Sequence, residues 1–205
     1  MIFGSHVPEF AALLAERVPL SGLRVEEDVR FTFLHALTTA GACRHWEVRF
    51  EAPLPTYPGR RLDTHISGLG GRELAVEFKY HRAKLSTLPK PQLAGGLYSD
   101  LFRLGVAHAS MKCECLFVYV TDSVMLAYLE HPKRGCSELF AAPDGQRVSL
   151  GVHTLRGKTA SFQRALNGIF NPITVEPVLR THIGGDLHLH VYSVEHVPDA
   201  VYSYR

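Results

Sequence analysis

The run Glu114–Asp122 is the feature of this sequence that most restricts its fold. Its residues are strongly β-prone and mostly apolar, which is typical of a central strand buried on both faces. A chain of 205 residues with 46% apolar and 20% charged residues can bury one substantial core around such a strand. The sequence therefore predicts an α/β fold in a single domain, residues 1–205, with helices flanking a mixed central sheet.

Helical patterns precede this strand. Pro8 and the apolar residues after it indicate a short first helix that ends before Pro19. A longer helix is predicted over residues 23–39, because its apolar side chains recur every four positions and Gly41 can terminate it. The acidic residues near its start are Glu26, Glu27 and Asp28.

Three strands are predicted between that helix and the central strand. Trp46, Val48 and Phe50 alternate with charged residues, which predicts a strand with one buried face. Residues 61–67 and 73–81 can form the next two strands. They would be joined as a hairpin by a glycine turn, which contains Gly68, Gly70 and Gly71.

The remaining segments complete the α/β pattern. A helix is predicted over residues 92–104, where Gly95 and Gly96 can be explained by close backbone packing. After the central strand, helices are predicted at Ser123–Glu130 and 159–169, and strands at 173–180 and 187–194. No repeat, low-complexity tract or linker divides the chain.

Composition predicts a cytoplasmic protein with reduced thiols. No apolar run approaches the roughly 20 residues of a membrane helix, and Glu9, Glu16 and Arg17 stand where a secretory leader needs apolar residues. The four cysteines include no CxxC pair, so they are interpreted as free thiols. A net charge of +2 is too small to indicate a partner by itself.

Alternation along the third strand brings an acid and a base to one face. Glu77 and Lys79 share that face, and Asp63 approaches it if residues 61–67 pair with the strand. Carboxylates of this kind hold Mg²⁺ together with waters and substrate phosphate oxygens. Lys79 could orient or deprotonate the attacking water, or it could neutralise charge that develops in the transition state.

These residues and the order of the elements resemble the PD-(D/E)XK nuclease superfamily, the restriction-endonuclease-like fold. The common core of that superfamily runs helix, three-strand meander, helix, strand. The segments between about residue 21 and about residue 122 follow this order. The resemblance implies a restriction-endonuclease-like core of αβββαβ order, followed by a C-terminal extension over residues 123–205 that it does not cover.

Each motif position implies a role by this resemblance. Asp63 stands at the metal-bridging aspartate, Glu77 at the second metal ligand and Lys79 at the water-activating lysine. Phe78, which separates the last two, is included among the metal ligands. The sequence departs from the family pattern at Leu62, which replaces the proline that names the motif.

The resemblance also implies catalytic residues on the flanking helices. Many members contribute a glutamate from the first core helix, and Glu27 is preferred here because its side chain can border the buried face of the helix. Glu26 fits nearly as well. Some members place a glutamine in the following helix, where Gln92 stands, although the tyrosine that some relatives carry four positions later is Gly96 here.

A basic segment follows the third strand. No acidic residue occurs from Phe78 to Ser99, whereas Arg82, Lys84 and Lys90 are basic. Such a segment can follow a phosphate backbone, or it can be a solvated loop. We interpret the three cations as nucleic-acid-binding residues.

The resemblance implies a nuclease that uses Mg²⁺ or Mn²⁺ and cuts DNA in preference to RNA, leaving 5′-phosphate and 3′-hydroxyl ends. A restriction, defence or repair role would fit, in a homodimer or as a partner subunit of a larger complex, without a membrane partner. The main alternative is a nuclease-like nucleic-acid-binding or assembly module whose cleavage is weak or absent. A third interpretation is an α/β protein whose strand face happens to be charged.

Histidines offer a competing metal site. His188 and His190 share one strand face, with His182 and His196 nearby. Their spacing matches no common zinc pattern. A half-exposed polar strand face is the interpretation that this spacing favours.

Overall fold

A computed structural model of the chain describes residues 6–19, 23–69, 71–134, 136–168 and 170–197, and leaves aside the side chains of Trp46 and Leu69. Its helices are α1 (Val7–Arg17), α2 (Glu26–Thr39), α3 (Lys90–Met111), α4 (Ser123–Glu130), α5 (Ser137–Phe140), α6 (Val152–Leu155) and α7 (Ala160–Ala165). Its strands are β1 (Val48–Pro53), β2 (Arg61–Leu69), β3 (Arg72–His81), β4 (Glu114–Asp122), β5 (Val148–Leu150), β6 (Ile173–Gly184) and β7 (Leu187–His196). Short 3-10 helices span His45–Glu47 and Pro132–Arg134.

Within the described residues, the strands form one mixed seven-stranded sheet in the order β1-β2-β3-β4-β7-β6-β5. β1, β2 and β3 make an antiparallel meander, and β4 runs parallel to β3. The C-terminal strand β7 pairs antiparallel with the other edge of β4. The predicted mixed α/β fold is therefore confirmed.

The sheet separates two apolar layers. Leu74, Val76 and Phe78 of β3 pack with α1 and α2 on one face. Ala75 of the same strand packs with α3 on the opposite face. β4 lies between the layers with nearly every residue buried, as predicted for a central strand. No helix in the described part of the chain is long and apolar enough to span a membrane.

The predicted hairpin is present between β2 and β3. Gly68 and Gly71 adopt positive φ angles of 93° and 84°, which glycine tolerates best. Gly70 lies outside the described residues. β6 and β7 are both longer than predicted, and all four cysteines are buried free thiols, as expected.

The burial predicted for the first strand is wrong. Phe50 is 46% exposed, whereas Ala52 is buried. Trp46 belongs to the 3-10 helix His45–Glu47 and not to β1. The reasons are that β1 is the outermost strand at its end of the sheet, and that Glu51 adopts a φ of 49°, which interrupts the alternation.

α2 begins later than predicted. The Asp28 carboxylate accepts hydrogen bonds from the backbone nitrogens of Arg24 and Val25, at 2.7 and 3.0 Å, and so caps the first turn. Leu23 is buried but precedes the helix, which starts at Glu26.

The other helices differ in length from the prediction. α3 continues to Met111 because its buried side extends through Val106 and Ala107. α4 has the predicted bounds. The helix predicted over 159–169 is confined to Ala160–Ala165, and Ile169 lies outside the described residues.

Candidate active site

Asp63 lies where β2 and β3 separate. The paired part of the two strands begins at the turn, where Leu69 pairs with Arg72, and ends where Thr64 pairs with Val76. One position further along β2, the Asp63 carboxylate accepts a hydrogen bond of 2.7 Å from the backbone nitrogen of Phe78. The side chain thus takes the place of a strand carbonyl and stays 16% exposed, facing the surface that carries Glu77.

Glu77 is a fully buried carboxylate whose oxygens are not satisfied by hydrogen-bond donors. Its exposure is 0%, and neither Oε1 nor Oε2 accepts a hydrogen bond within the described residues. The Arg103 Nε atom lies 2.8 Å from Oε1, but it is not oriented to donate a hydrogen bond. Burial and then the Asp63 charge raise the pKa of Glu77 well above its ordinary value, against the opposing effect of Arg103.

Lys79 lies between two carboxylates. Its Nζ atom is 3.2 Å from Asp100 Oδ2 and 3.4 Å from Glu26 Oε2. Burial opposes the charge of Lys79, but the charges of Asp100 and Glu26 outweigh it and raise the pKa of the amine. Lys79 is therefore an ammonium group, which suits charge stabilisation better than proton abstraction.

The helix acid at the site is Glu26, so the preference for Glu27 is corrected. Glu27 is exposed, as is Phe31 one turn further along the same face of α2, whereas Glu26 stands on the side of the buried Val29 and Phe33. Glu26 Oε1 lies 3.8 Å from Arg30 Nη2, which also lies 3.9 Å from Asp63 Oδ1. One turn of α2 thus links Glu26 and Asp63 through a shared arginine.

The sequence did not predict that Asp100 and Arg103, two charged residues of α3, belong to the site. They lie three positions apart on one helix face and form an ion pair with each other. Asp100 is 6% exposed, and burial raises the pKa of its carboxyl group despite Lys79 and Arg103. The available signal was an acid and an arginine in an otherwise apolar stretch of helix.

Gln92 lies at the mouth of the site. It stands in the first turn of α3 and lines a pocket of about 320 Å³. The charged side chains that share this pocket are Arg60, Lys79, Asp100 and Arg103. Burial and then the Lys79 charge lower the pKa of His81, another pocket residue, to about 3, so this imidazole is neutral at pH 7.

The basic segment after β3 is partly neutralised. Lys84 Nζ lies 2.7 Å from Asp186 Oδ2, and Arg82 Nη2 lies 3.3 Å from Asp186 Oδ1. Lys90 is the first residue of α3 and is half-buried. Of the predicted nucleic-acid-binding residues, Arg82 and Lys84 are therefore held by an acid from the β6–β7 turn.

A divalent cation fits the acids of this site only with further ligands from outside the chain. In the described part of the chain, no group of three or more acidic, histidine or cysteine side chains is arranged to hold a metal ion. Asp63 and Glu77 are neighbouring carboxylates, and among the described residues no donor is oriented toward either Glu77 oxygen. Mg²⁺ is often held by one or two carboxylates and completes its shell with water and phosphate, so this pair suits it. Phe78 is joined to Asp63 through its backbone nitrogen, while its ring packs 5.5 Å from Phe33.

Among the described residues, the histidines of β6 and β7 belong to no group of three or more potential metal ligands. His190 is buried, its Nδ1 lies 3.2 Å from the Tyr192 hydroxyl, and burial lowers the pKa of its ring to about 3. His188 contacts the Ser123 hydroxyl at 3.1 Å, and its ring packs on His182. These contacts explain the histidines as packing and hydrogen-bonding residues of the hairpin.

Comparisons of this chain with protein-family models, with curated proteins and with solved structures found no match. The functional argument consequently depends on the arrangement of Asp63, Glu77, Lys79 and the residues around them.

Proposed function

We propose that this protein is a metal-dependent nuclease that hydrolyses phosphodiester bonds of DNA. The observation that carries the proposal is the Glu77 side chain, which is fully buried next to the Asp63 carboxylate and whose charge Arg103 compensates only in part. Two adjacent carboxyl groups, one of them fully buried, are unfavourable for folding, and a site that binds a cation gives a reason for such a pair to be there. An exposed charged strand face, the third interpretation, would not place Glu77 in the core.

The fold supports a restriction-endonuclease-like core. α2, the meander β1–β3, α3 and the parallel strand β4 occur in the order of that superfamily. Asp63 and the pair formed by Glu77 and Lys79 stand on adjacent strands of the meander, as its motif requires. The C-terminal hairpin of β6 and β7 would be an addition to that core.

The proposed reaction divides the work among these side chains. Asp63 and Glu77 would hold Mg²⁺ or Mn²⁺, which supplies Lewis acidity and an activated water when bound. Lys79 donates hydrogen bonds to a phosphate oxygen and stabilises the negative charge that develops on it. Water adds to phosphorus, the bond to the 3′ oxygen breaks, and this oxygen takes up a proton, leaving a 5′-phosphate and a 3′-hydroxyl.

The positions of the other charged side chains fit supporting roles. Glu26 and Asp100 hold the Lys79 ammonium from opposite helices. Gln92 at the pocket mouth can contact the strand that enters, and Lys90 stands at the start of the same helix. A homodimer or a larger complex would be needed if both strands of a duplex are cut together.

A nucleic-acid-binding or assembly module with little cleavage is the second candidate. It is favoured by one observation, the ion contact between Arg103 and Glu77, which compensates part of the acidic charge without a metal. If that contact is permanent, the acids have a structural role and no metal enters. The two candidates therefore differ in whether Glu77 is available to a cation.

A cleavage assay tests the proposal. Purified protein is incubated with plasmid, linear DNA and RNA in Mg²⁺, Mn²⁺ or EDTA, beside Glu77→Ala, Lys79→Ala and the surface control Glu27→Gln. We expect cleavage of DNA that needs metal, is lost in the first two variants and persists in the control. Cutting in EDTA, or equal cutting by all variants, would refute the proposed site, and salt-dependent DNA binding without cutting would support the binding module.

A further inference from the structure

The guanidinium of Arg103 contacts two acids of the site at once. Its Nε atom lies 2.8 Å from Glu77 Oε1, and its Nη2 atom donates to Asp100 Oδ1. Its Nη1 atom donates to the backbone carbonyl of Arg61 at 3.2 Å. The side chain is 18% exposed and lines the pocket that also holds Lys79.

These contacts are not equivalent. The two Nη atoms form hydrogen bonds to Asp100 and Arg61, which fix the guanidinium from the side of α3 and β2. The Nε atom and both Glu77 oxygens form none in the described part of the chain. Arg103 therefore holds Glu77 by charge and not by a hydrogen bond, and the Glu77 carboxylate can turn away from Arg103 without breaking either hydrogen bond of the guanidinium.

We propose that Arg103 is a resident counter-cation of Glu77, which it releases to a divalent cation while it stays in the pocket to bind the substrate phosphate. This inference rests on the metal site of the proposed function. It assigns to Arg103 two successive anionic partners, a carboxylate before metal binding and a phosphodiester afterwards. Asp100 and Arg61 are the anchor that keeps the guanidinium in place during the exchange.

The charges of the site fit this exchange. The carboxylates of the site belong to Glu26, Asp63, Glu77 and Asp100, and the cations that contact them are Arg30, Lys79 and Arg103. Arg30 also contacts the exposed Glu51 at 3.9 Å. If all of these groups ionise, the acids outnumber the cations, and a bound divalent cation reduces the negative charge that a phosphodiester group meets. The pocket that receives this phosphate is lined by Arg103 and Lys79 together.

The test measures Mn²⁺ binding and does not depend on cleavage. The variants are Arg103→Met, which keeps the bulk of the side chain and loses its charge, and Arg103→Lys, which keeps the charge but loses the planar guanidinium. The control is Arg147→Met, which breaks the surface ion pair of Arg147 with Glu195. Free Mn²⁺ is followed by electron paramagnetic resonance at about pH 8, where protons compete least for the carboxylates, and melting temperatures are recorded with EDTA and with Mn²⁺.

We expect Arg103→Met to bind Mn²⁺ more tightly than the wild type by roughly tenfold, because the arginine no longer competes for Glu77. In EDTA the variant should melt at a lower temperature than the wild type, and Mn²⁺ should remove most of this difference. Arg103→Lys should fall between the two proteins, and Arg147→Met should match the wild type in Mn²⁺ affinity. If Arg103→Met does not fold in EDTA, its refolding when Mn²⁺ is added reports the same increase in Mn²⁺ affinity.

Other outcomes separate the two proposals. Equal or weaker Mn²⁺ binding by Arg103→Met, with the same loss of melting temperature in EDTA and Mn²⁺, would make Arg103 a purely structural partner and overturn this inference alone. Tighter Mn²⁺ binding without DNA cleavage would sustain the exchange of Glu77 from Arg103 to the cation and refute the nuclease function. Absence of Mn²⁺ binding by every protein, including the wild type, would overturn both.

Discussion

The backbone nitrogen of Phe78 donates a hydrogen bond of 2.7 Å to the side-chain carboxylate of Asp63. This bond replaces a strand-to-strand contact at the point where β2 and β3 part, and it leaves one Asp63 oxygen facing Arg30 at 3.9 Å. A residue proposed to hold a metal thus also closes the end of a strand ladder. Substitutions at Asp63 should consequently affect folding as well as cleavage.

Asp63→Ala is expected to be less stable than Asp63→Asn by about 1–3 kcal/mol, because only asparagine keeps an oxygen that can accept from Phe78. Both substitutions remove the same charge, so their difference isolates the hydrogen bond. Urea unfolding in EDTA measures it. Equal free energies of unfolding would show that water replaces the carboxylate at no cost.

The metal-free protein should lose stability relative to Glu77→Gln as the pH rises. Burial raises the pKa of Glu77 above its ordinary 4.5, so the folded protein keeps a proton that the unfolded chain has released. The stability from this group is complete below pH 4.5 and is lost as the pH passes through the raised pKa. Urea unfolding in EDTA between about pH 5 and about pH 8 measures the difference, and parallel curves for the two proteins would contradict it.

Neighbouring glutamates of α2 provide a matched pair. Glu26→Gln should slow cleavage by roughly tenfold or more, as is usual when a group that orients a catalytic residue is lost, since Glu26 lies 3.4 Å from Lys79. Glu27→Gln should cleave like the wild type because Glu27 is exposed. Single-turnover rates in Mg²⁺ compare them. A larger effect at Glu27 would reverse the assignment of the helix acid.

Gly95→Ala should destabilise the protein by about 1–3 kcal/mol. An added Cβ at this position would lie 2.3 Å from the Phe162 carbonyl oxygen and would force α3 away from α7. Gly96→Ala, with no atom within 4 Å of the added Cβ, should instead gain about 0.5–1 kcal/mol from helix propensity. Thermal or urea unfolding distinguishes the two, and a loss at both positions would refute the packing argument.

Asp186→Asn should strengthen DNA binding, because it releases Arg82 and Lys84 from their carboxylate partner. The slope of log affinity against log salt should steepen by roughly one to two if the freed cations contact phosphates. Fluorescence anisotropy in Ca²⁺ measures both quantities. Asp144→Asn, which breaks an ion pair with Arg180 at 3.0 Å, is the control and should leave the slope unchanged.

Local periodicity explains which parts of the site were predictable. Glu77 and Lys79 share a face of β3 because alternation along a strand is set by its own backbone. Glu26 and Glu27 differ by about 100° around α2, so the packing of α2, which buries Val29 and leaves Phe31 exposed, decides between them. Periodicity in the strand could place Glu77 and Lys79 on one face but could not identify the acid of α2 beside them.

Long-range packing explains the rest. Asp100 and Arg103 reach the site only because α3 lies across the face of the sheet that carries Glu77, and no pattern within α3 specifies that placement. Asp186 reaches the basic segment across more than one hundred residues of sequence, through the pairing of β7 with β4. The exposure of Phe50 likewise depends on the position of β1 at the end of the sheet.

The position of β4 has a consequence for the order in which this protein assembles. Its neighbours are β3, which precedes it in the chain, and β7, which follows it only after β5 and β6. Until β7 arrives, a long apolar strand has one unpaired edge, which invites pairing with another chain. Pairing with β7 covers that edge of β4, so a chain stopped after β4 is expected to accumulate as insoluble material.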